Sequence, residues 1–140
     1  MKIIHISTSN GRGGASIATN RLNRALQNEN HDSRIWVNYK YGNNPSIKTY
    51  PNNLQKKINR FKRYLSRALV LLLKTHNPVL HSPQIFSSSF WLKAINESDA
   101  DIIHLHWFQH EMISISDISK IKKPLVWTLQ IGRASCRERV

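Results

Sequence analysis

The stretch Lys2 to Leu26, KIIHISTSNGRGGASIATNRLNRAL, limits the fold more than any other in the chain. It opens on Ile3, Ile4 and Ile6, an apolar run too short for a helix and rich in β-branched residues, which predicts a buried strand over Lys2–Ser7. Thr8 to Gly14 follows as a loop in which glycines permit positive φ and a close approach of ligand to backbone. From Ala15 to Leu26 the period becomes helical, with Ile17, Ala18, Leu22, Ala25 and Leu26 expected on the buried face. Strand, glycine loop and helix in that order form the first unit of a parallel α/β domain. The unsatisfied N–H groups at such a helix start favour phosphate or another anion.

Dinucleotide-binding proteins use the same geometry, and the details separate them from this chain. Their fingerprint is G-x-G-x-x-G; Gly11 and Gly13 are in place, but Ser16 occupies the sixth position. The second strand, Ser33 to Tyr39 (SRIWVNY), brings no carboxylate near its end to hold a ribose. The loop thus argues for anion binding and against NAD, and no resident cofactor is expected. The plainer alternative is that the glycines only make a tight turn.

At 140 residues the chain is long enough for one domain with a real core. Its formal net charge of +13 points to anionic partners. No signal-peptide apolar segment opens it, and no apolar run is long enough to span a membrane. The expected location is the cytoplasm. Residues 131–140, IGRASCRERV, break the composition abruptly and are spelled by one reading frame of a common short-read sequencing adapter. We read them as an artefactual tail and residues 1–130 as the domain. The only cysteine, Cys136, lies in that tail. Leaving out Arg133, Arg137, Arg139 and Glu138 lowers the charge by two, to +11, so the basic character persists.

Further along, Ile47 to Thr49 suggests a short strand. Leu54 to Lys74 places Leu54, Ile58, Phe61, Leu65, Ala68, Leu69 and Leu72 at three- and four-residue steps, with Lys56, Lys57, Arg60, Lys62, Arg63 and Arg67 filling much of the rest. This is a basic amphipathic helix of about 30 Å. It suits an anionic membrane surface through Lys56, Lys57, Arg60, Arg63 and Arg67, or it packs its apolar stripe on the sheet as an ordinary surface helix. Residues 75–89 read as an irregular loop. Phe90–Asn96 reads as a helix capped by Ser89, Ile102–Trp107 as a strand, Ser114–Ile121 as a helix and Leu125–Leu129 as a final strand.

His104 and His106 alternate in their strand and therefore share a face, at the end where parallel α/β sheets bind ligands. No third ligand is expected near them and residues 1–130 lack cysteine, so no metal is expected. The choice lies between histidines held by the sheet backbone and histidines that contact substrate. His5 is ambiguous in the same way.

Three blocks in order, HISTSNGRGGASIATNRLNRALQNENHDSRIWV, ADIIHLHW and KIKKPLVWTL, resemble the N-terminal half of bacterial retaining glycosyltransferases of GT-B type, the family 4 or group 1 enzymes of cell-surface polysaccharide assembly. The resemblance covers Met1 to about Gln130. It implies a three-layer, Rossmann-like domain with a mainly parallel sheet that binds a glycan or lipid-linked acceptor. A second domain, absent here, would bind the nucleotide-sugar donor. Carried over, Gly11, Gly13 and Gly14 match the phosphate-facing loop, and His104 and His106 the histidines bordering the cleft. The family's further histidine, directly after W-T-L, falls at Gln130. That codon abuts the adapter-derived tail, and a natural histidine is expected there. The family's retaining mechanism is described as front-face, without an obligatory protein nucleophile, so no catalytic residue is assigned in this half.

Two other readings stay open. One is a stand-alone phosphate- or nucleotide-binding module. The other is a basic nucleic-acid-binding protein, although no recognised nucleic-acid motif accompanies the charge and nucleic acid is not an expected partner.

Overall fold

The structure, a computed structural model, describes residues 1–11, 13–50, 52–72, 84–86, 88–108 and 110–129. Arg12, most of the 75–89 loop, Gln109, Gln130 and the 131–140 tail with Cys136 lie outside the described residues.

The elements are β1 (Lys2–Ser9), α1 (Gly14–Asn28), β2 (Asp32–Tyr39), β3 (Ile47–Lys48), α2 (Asn53–Leu72), α3 (Ser89–Asn96), β4 (Ile102–Leu105), α4 (Ile115–Ile118) and β5 (Leu125–Trp127). Among the described residues all four strand pairings are parallel, in the order β3-β2-β1-β4-β5. This is a Rossmann-like α/β domain. Its strand order reverses beside β1, because the chain winds outward to β2 and β3 and then returns to β4 on the other side.

Strand alternation sorts the residues onto two faces. Ile4, Ile6, Trp36, Ile103 and Leu105 enter one apolar core with Trp91 and Ile95 of α3, Met112 and Ile113, and Ile118 of α4 packs against it. The α1 face carries Ile35 and Val37 together with His5, Ser33 and His106, with His5 level with Ile35, all buried. The uneven faces follow from sequence: β1 alternates isoleucine with His5 and Ser7, and β4 alternates Ile103 and Leu105 with His104.

Boundaries moved where tertiary bonds decide them. β1 runs to Ser9, two residues beyond the expected Ser7, because Ser7 and Ser9 pair with Val37 and Tyr39. β4 stops at Leu105 rather than Trp107, although the His106 amide still donates to Ile6 O (3.0 Å) and the Thr8 amide to Trp107 O (2.6 Å). β5 ends at Trp127 rather than Leu129, closed by the Thr128 amide on Leu105 O at 2.9 Å. Ser88, not Ser89, precedes α3, and its amide donates to Asp117 Oδ2 at 2.8 Å. The expected Ser114–Ile121 helix is one turn, with Ser114 and Asp117 forming a reciprocal capping box.

The apolar face read for α1, and the alternative in which α2 packs its apolar stripe on the sheet, are corrected. In α1, Leu22 and Leu26 are partly buried but Ile17, Ala18 and Ala25 are exposed, and Ser16, Thr19 and Asn23 are the buried residues. The helix packs on a sheet face that carries Ser33 as well as Ile35 and Val37, and its polar stripe turns inward, where Asn23 Oδ1 accepts from Ser33 Oγ at 2.8 Å. In α2, Asn59 and Ser66 are buried while Leu54, Ile58, Phe61, Leu65 and Leu69 are exposed; Phe61 is 67% exposed. Ser66 donates to Glu111 Oε1 (2.8 Å), a buried carboxylate that also accepts from the amides of Gln84 and Phe86 (3.1 and 3.0 Å). Those bonds orient α2 and leave its apolar stripe outward, so packing of that stripe on the sheet does not occur.

Candidate functional site

The glycine loop leaves the carboxyl end of β1 and is clamped before the helix begins. Asn10 makes a two-way bond with the Tyr41 backbone, donating from Nδ2 to the carbonyl (2.8 Å) and accepting the amide at Oδ1 (2.7 Å). This draws Tyr41 so close that a Cβ on Gly11 would lie 2.7–2.9 Å from its side chain. Gly13 is the N-cap of α1 at φ 86 and ψ 158, a conformation essentially reserved for glycine. With no cap side chain, the first amides of α1 face the end of the loop.

Ser16 now explains the departure from the dinucleotide fingerprint. Its hydroxyl donates to Ser9 O (2.8 Å) and lies 2.9 Å from Ser9 Oγ. Where a third glycine would allow close packing of helix on strand, this chain fastens helix to strand by hydroxyl bonds.

Thr8, Ser9, Gly13, Gly14, Ala15 and Ser16 form one wall of a pocket of about 400 Å³, and Trp107 and His110 form the other. The two walls are the loops after β1 and β4, on either side of the point where strand order reverses. That crevice is where open parallel sheets bind ligands. Thr8 ties the walls together, its Oγ1 donating to Trp107 O at 2.7 Å. Burial, with the nearby Arg63 charge, holds His110 below the ordinary imidazole pKa.

His104 and His106 do not line this pocket. They share its end of the sheet but turn to the α1 face, where β1 and β4 place His5 level with His104. His5 Nδ1 lies 3.0 Å from His106 Nε2, and His5 Nε2 lies 3.0 Å from Ser33 Oγ. Ser33 spends its proton on Asn23, so it accepts from His5, and His5 in turn accepts from His106. The histidines are therefore bonded to side chains and to one another. Burial and the neighbouring imidazoles push His5 down to about 4 and His106 to about 3, so both are neutral at pH 7. His104 is also lowered by burial, but it is only half-buried and its Nε2 meets Thr128 Oγ1 at 2.7 Å. Of the pair, His104 has surface to offer a ligand; His106 is 4% exposed.

The expectation that no third ligand lies near is corrected here. Ring nitrogens of His5, His104 and His106 all lie within 4.8 Å of one another. Sequence reading also passed over Asn10, Ser33 and Asn23. Alternation of His5 with Ser7 in one strand and of His104 with His106 in another was the available signal for a shared polar face.

Among the cationic residues assigned to a membrane surface, Lys56, Lys57, Arg60 and Arg67 are exposed. Arg63 is partly buried and donates to the Tyr39 hydroxyl at 2.8 Å. No described helix is long and apolar enough to cross a membrane.

No family model, curated protein or solved structure matches the chain.

Proposed function

We propose that residues 1–130 are the acceptor-side domain of a GT-B glycosyltransferase. The whole enzyme transfers sugar from a nucleotide-sugar donor to a cell-surface polysaccharide or glycolipid acceptor. The observation that carries this reading is the crevice between β1 and β4: a glycine loop opening a helix on one side, Trp107 and His110 on the other. Transfer from a nucleotide sugar requires stabilisation of a departing diphosphate, and the backbone amides of Gly13, Gly14 and Ala15 are suited to supply it. The first two of the three sequence blocks that resemble the family contribute to this crevice, through Thr8 to Ser16 and through Trp107; the third forms β5 beside β4.

The chain alone lacks the donor half of the cleft, so it cannot position a donor or exclude water. The purified 140-residue protein should turn over no nucleotide sugar. The natural gene beyond codon 130, with histidine at that codon, should encode a second Rossmann-like domain. A stop codon directly after position 130, or sugar transfer by this chain alone, contradicts the assignment.

Peripheral association with the inner face of the plasma membrane belongs to the same reading. It is favoured by the exposed stripe Leu54, Ile58, Phe61 and Leu65 on a helix bearing Lys56, Lys57, Arg60 and Arg67. The protein should bind anionic vesicles, release them as salt rises, and bind less tightly as Phe61→Ser with no loss of stability. Equal binding to neutral and anionic vesicles removes the electrostatic part of the proposal.

A further inference from the structure

The histidine cluster on the α1 face takes no part in the glycine-loop pocket, and what it can do follows from its bonding. Three imidazoles converge from two adjacent strands. The chain of bonds from Asn23 through Ser33 fixes His5 with its proton on Nε2 and its lone pair on Nδ1, aimed at His106. Holding one ring nitrogen by an outer acceptor so that the other presents its lone pair inward is the usual preparation of a metal-binding histidine.

The spacing agrees. Zinc–nitrogen bonds of 2.0–2.1 Å at tetrahedral angles place ligand nitrogens about 3.3 Å apart. His5 Nδ1 and His106 Nε2 are already 3.0 Å apart, joined by one proton. An ion entering between them needs a small spreading of the rings and movement of the His106 proton to its other nitrogen. His104, on the open side, closes the set by turning from Thr128. Among the described residues the donor set is imidazole alone, which disfavours magnesium and calcium and suits zinc-like transition metals.

We propose that His5, His104 and His106 form a three-histidine site for a divalent transition metal of the zinc type, with its fourth position open on the His104 side. Three protein ligands and one exchangeable position are the make-up of a reactive rather than a purely structural zinc site. The proposal goes beyond the glycosyltransferase reading and does not depend on it.

Metal-free full-length chain titrated with Co²⁺ should take up one equivalent and develop the visible absorption of a tetrahedral ion, and Zn²⁺ should displace it. His104→Ala should weaken uptake by about tenfold or more. His104 is half-buried, so the variant should keep its circular dichroism. Cys136→Ser should leave uptake unchanged, which excludes the tail thiol as the ligand. Ring-nitrogen NMR of the wild-type chain provides a second readout: Zn²⁺ should shift His5, His104 and His106 and leave His31 unmoved. No cobalt uptake in excess metal overturns the proposal. So does uptake of unchanged affinity in His104→Ala, or zinc shifts confined to other histidines.

Discussion

On the face that packs against α3 and α4, Ile4, Ile6, Ile103 and Leu105 meet Trp91, Ile95, Met112 and Ile113, with scarcely a polar atom among them. On the α1 face, a few ångströms away through the same strands, Ser33, His5 and His106 are bonded in series and end on Asn23 of the helix. The first face gains its stability from area removed from water, about 1.5–3 kcal/mol for each large side chain. The second gains little net free energy per hydrogen bond, about 1 kcal/mol, and every member must keep its partner. The apolar face tolerates a change of shape better than a change of polarity. The polar face fixes ring orientations and proton positions. Apolar burial is therefore concentrated on one side of the sheet and hydrogen-bonded polar side chains on the other; the histidine cluster lies on the α1 side and the pocket at the carboxyl end of β1 and β4.

The largest effect expected from a single substitution is on the apolar side. Trp91 is fully buried, stacks near Trp36 and Tyr50 at centroid distances of 5.7 and 5.0 Å, and donates Nε1 to Asn38 Oδ1 at 3.1 Å. Trp91→Ala should cost roughly 3–5 kcal/mol by urea unfolding, a large share of a small domain's total stability. A loss below about 1 kcal/mol would mean that this face is not the principal core.

Acid should act on the other face. His5 and His106 have folded-state pKa values of about 4 and about 3, below the ordinary 6.5, so the unfolded chain binds more protons through that window. Stability from this source is complete above about pH 7 and falls as pH drops; by pH 4 each histidine has given up on the order of 3 kcal/mol. Thermal melts from pH 7 to pH 4 should show a steep decline in melting temperature. A flat profile would mean that the rings are solvated and the chain of bonds is absent.

A smaller effect is expected at the junction of the two. Gly13→Ala forces a side chain into the φ 86, ψ 158 conformation and should cost about 1–3 kcal/mol. Among the described residues no atom beyond the chain neighbours lies within 4 Å of the added Cβ, so the cost expected is backbone strain. Chemical denaturation measures it. An unchanged midpoint would mean that the loop adopts another conformation without penalty.

The parallel α/β class was legible because β-branched runs, a glycine loop and helical periodicity agree with one another over Lys2 to Leu26. The inward faces of α1 and α2 were not. Hydrophobic periodicity assumes an apolar partner surface, whereas α1 meets Ser33 and His5 and α2 is anchored by Ser66 on Glu111. In both helices small polar residues won the inward positions because the partner offered hydrogen bonds. The glycine loop was legible as a site; its opposite wall, Trp107 and His110, depended on a strand neighbour nearly one hundred residues away in sequence. The third histidine was hidden for the same reason, since only the β1–β4 register brings His5 beside His104.

The most direct test of the division is titration of the ¹⁵N-labelled chain with pyrophosphate. Saturable shifts are expected at the amides of Gly13, Gly14, Ala15 and Ser16 and at the Trp107 indole, with the amides of Ile95 and Ile103 in the apolar core unmoved. Shifts confined to Lys56, Lys57 and Arg60 of α2, with Gly13 to Ser16 silent, would contradict it. They would mean that a chain of net charge +13 gathers anions by bulk charge and that its glycine loop is only a turn.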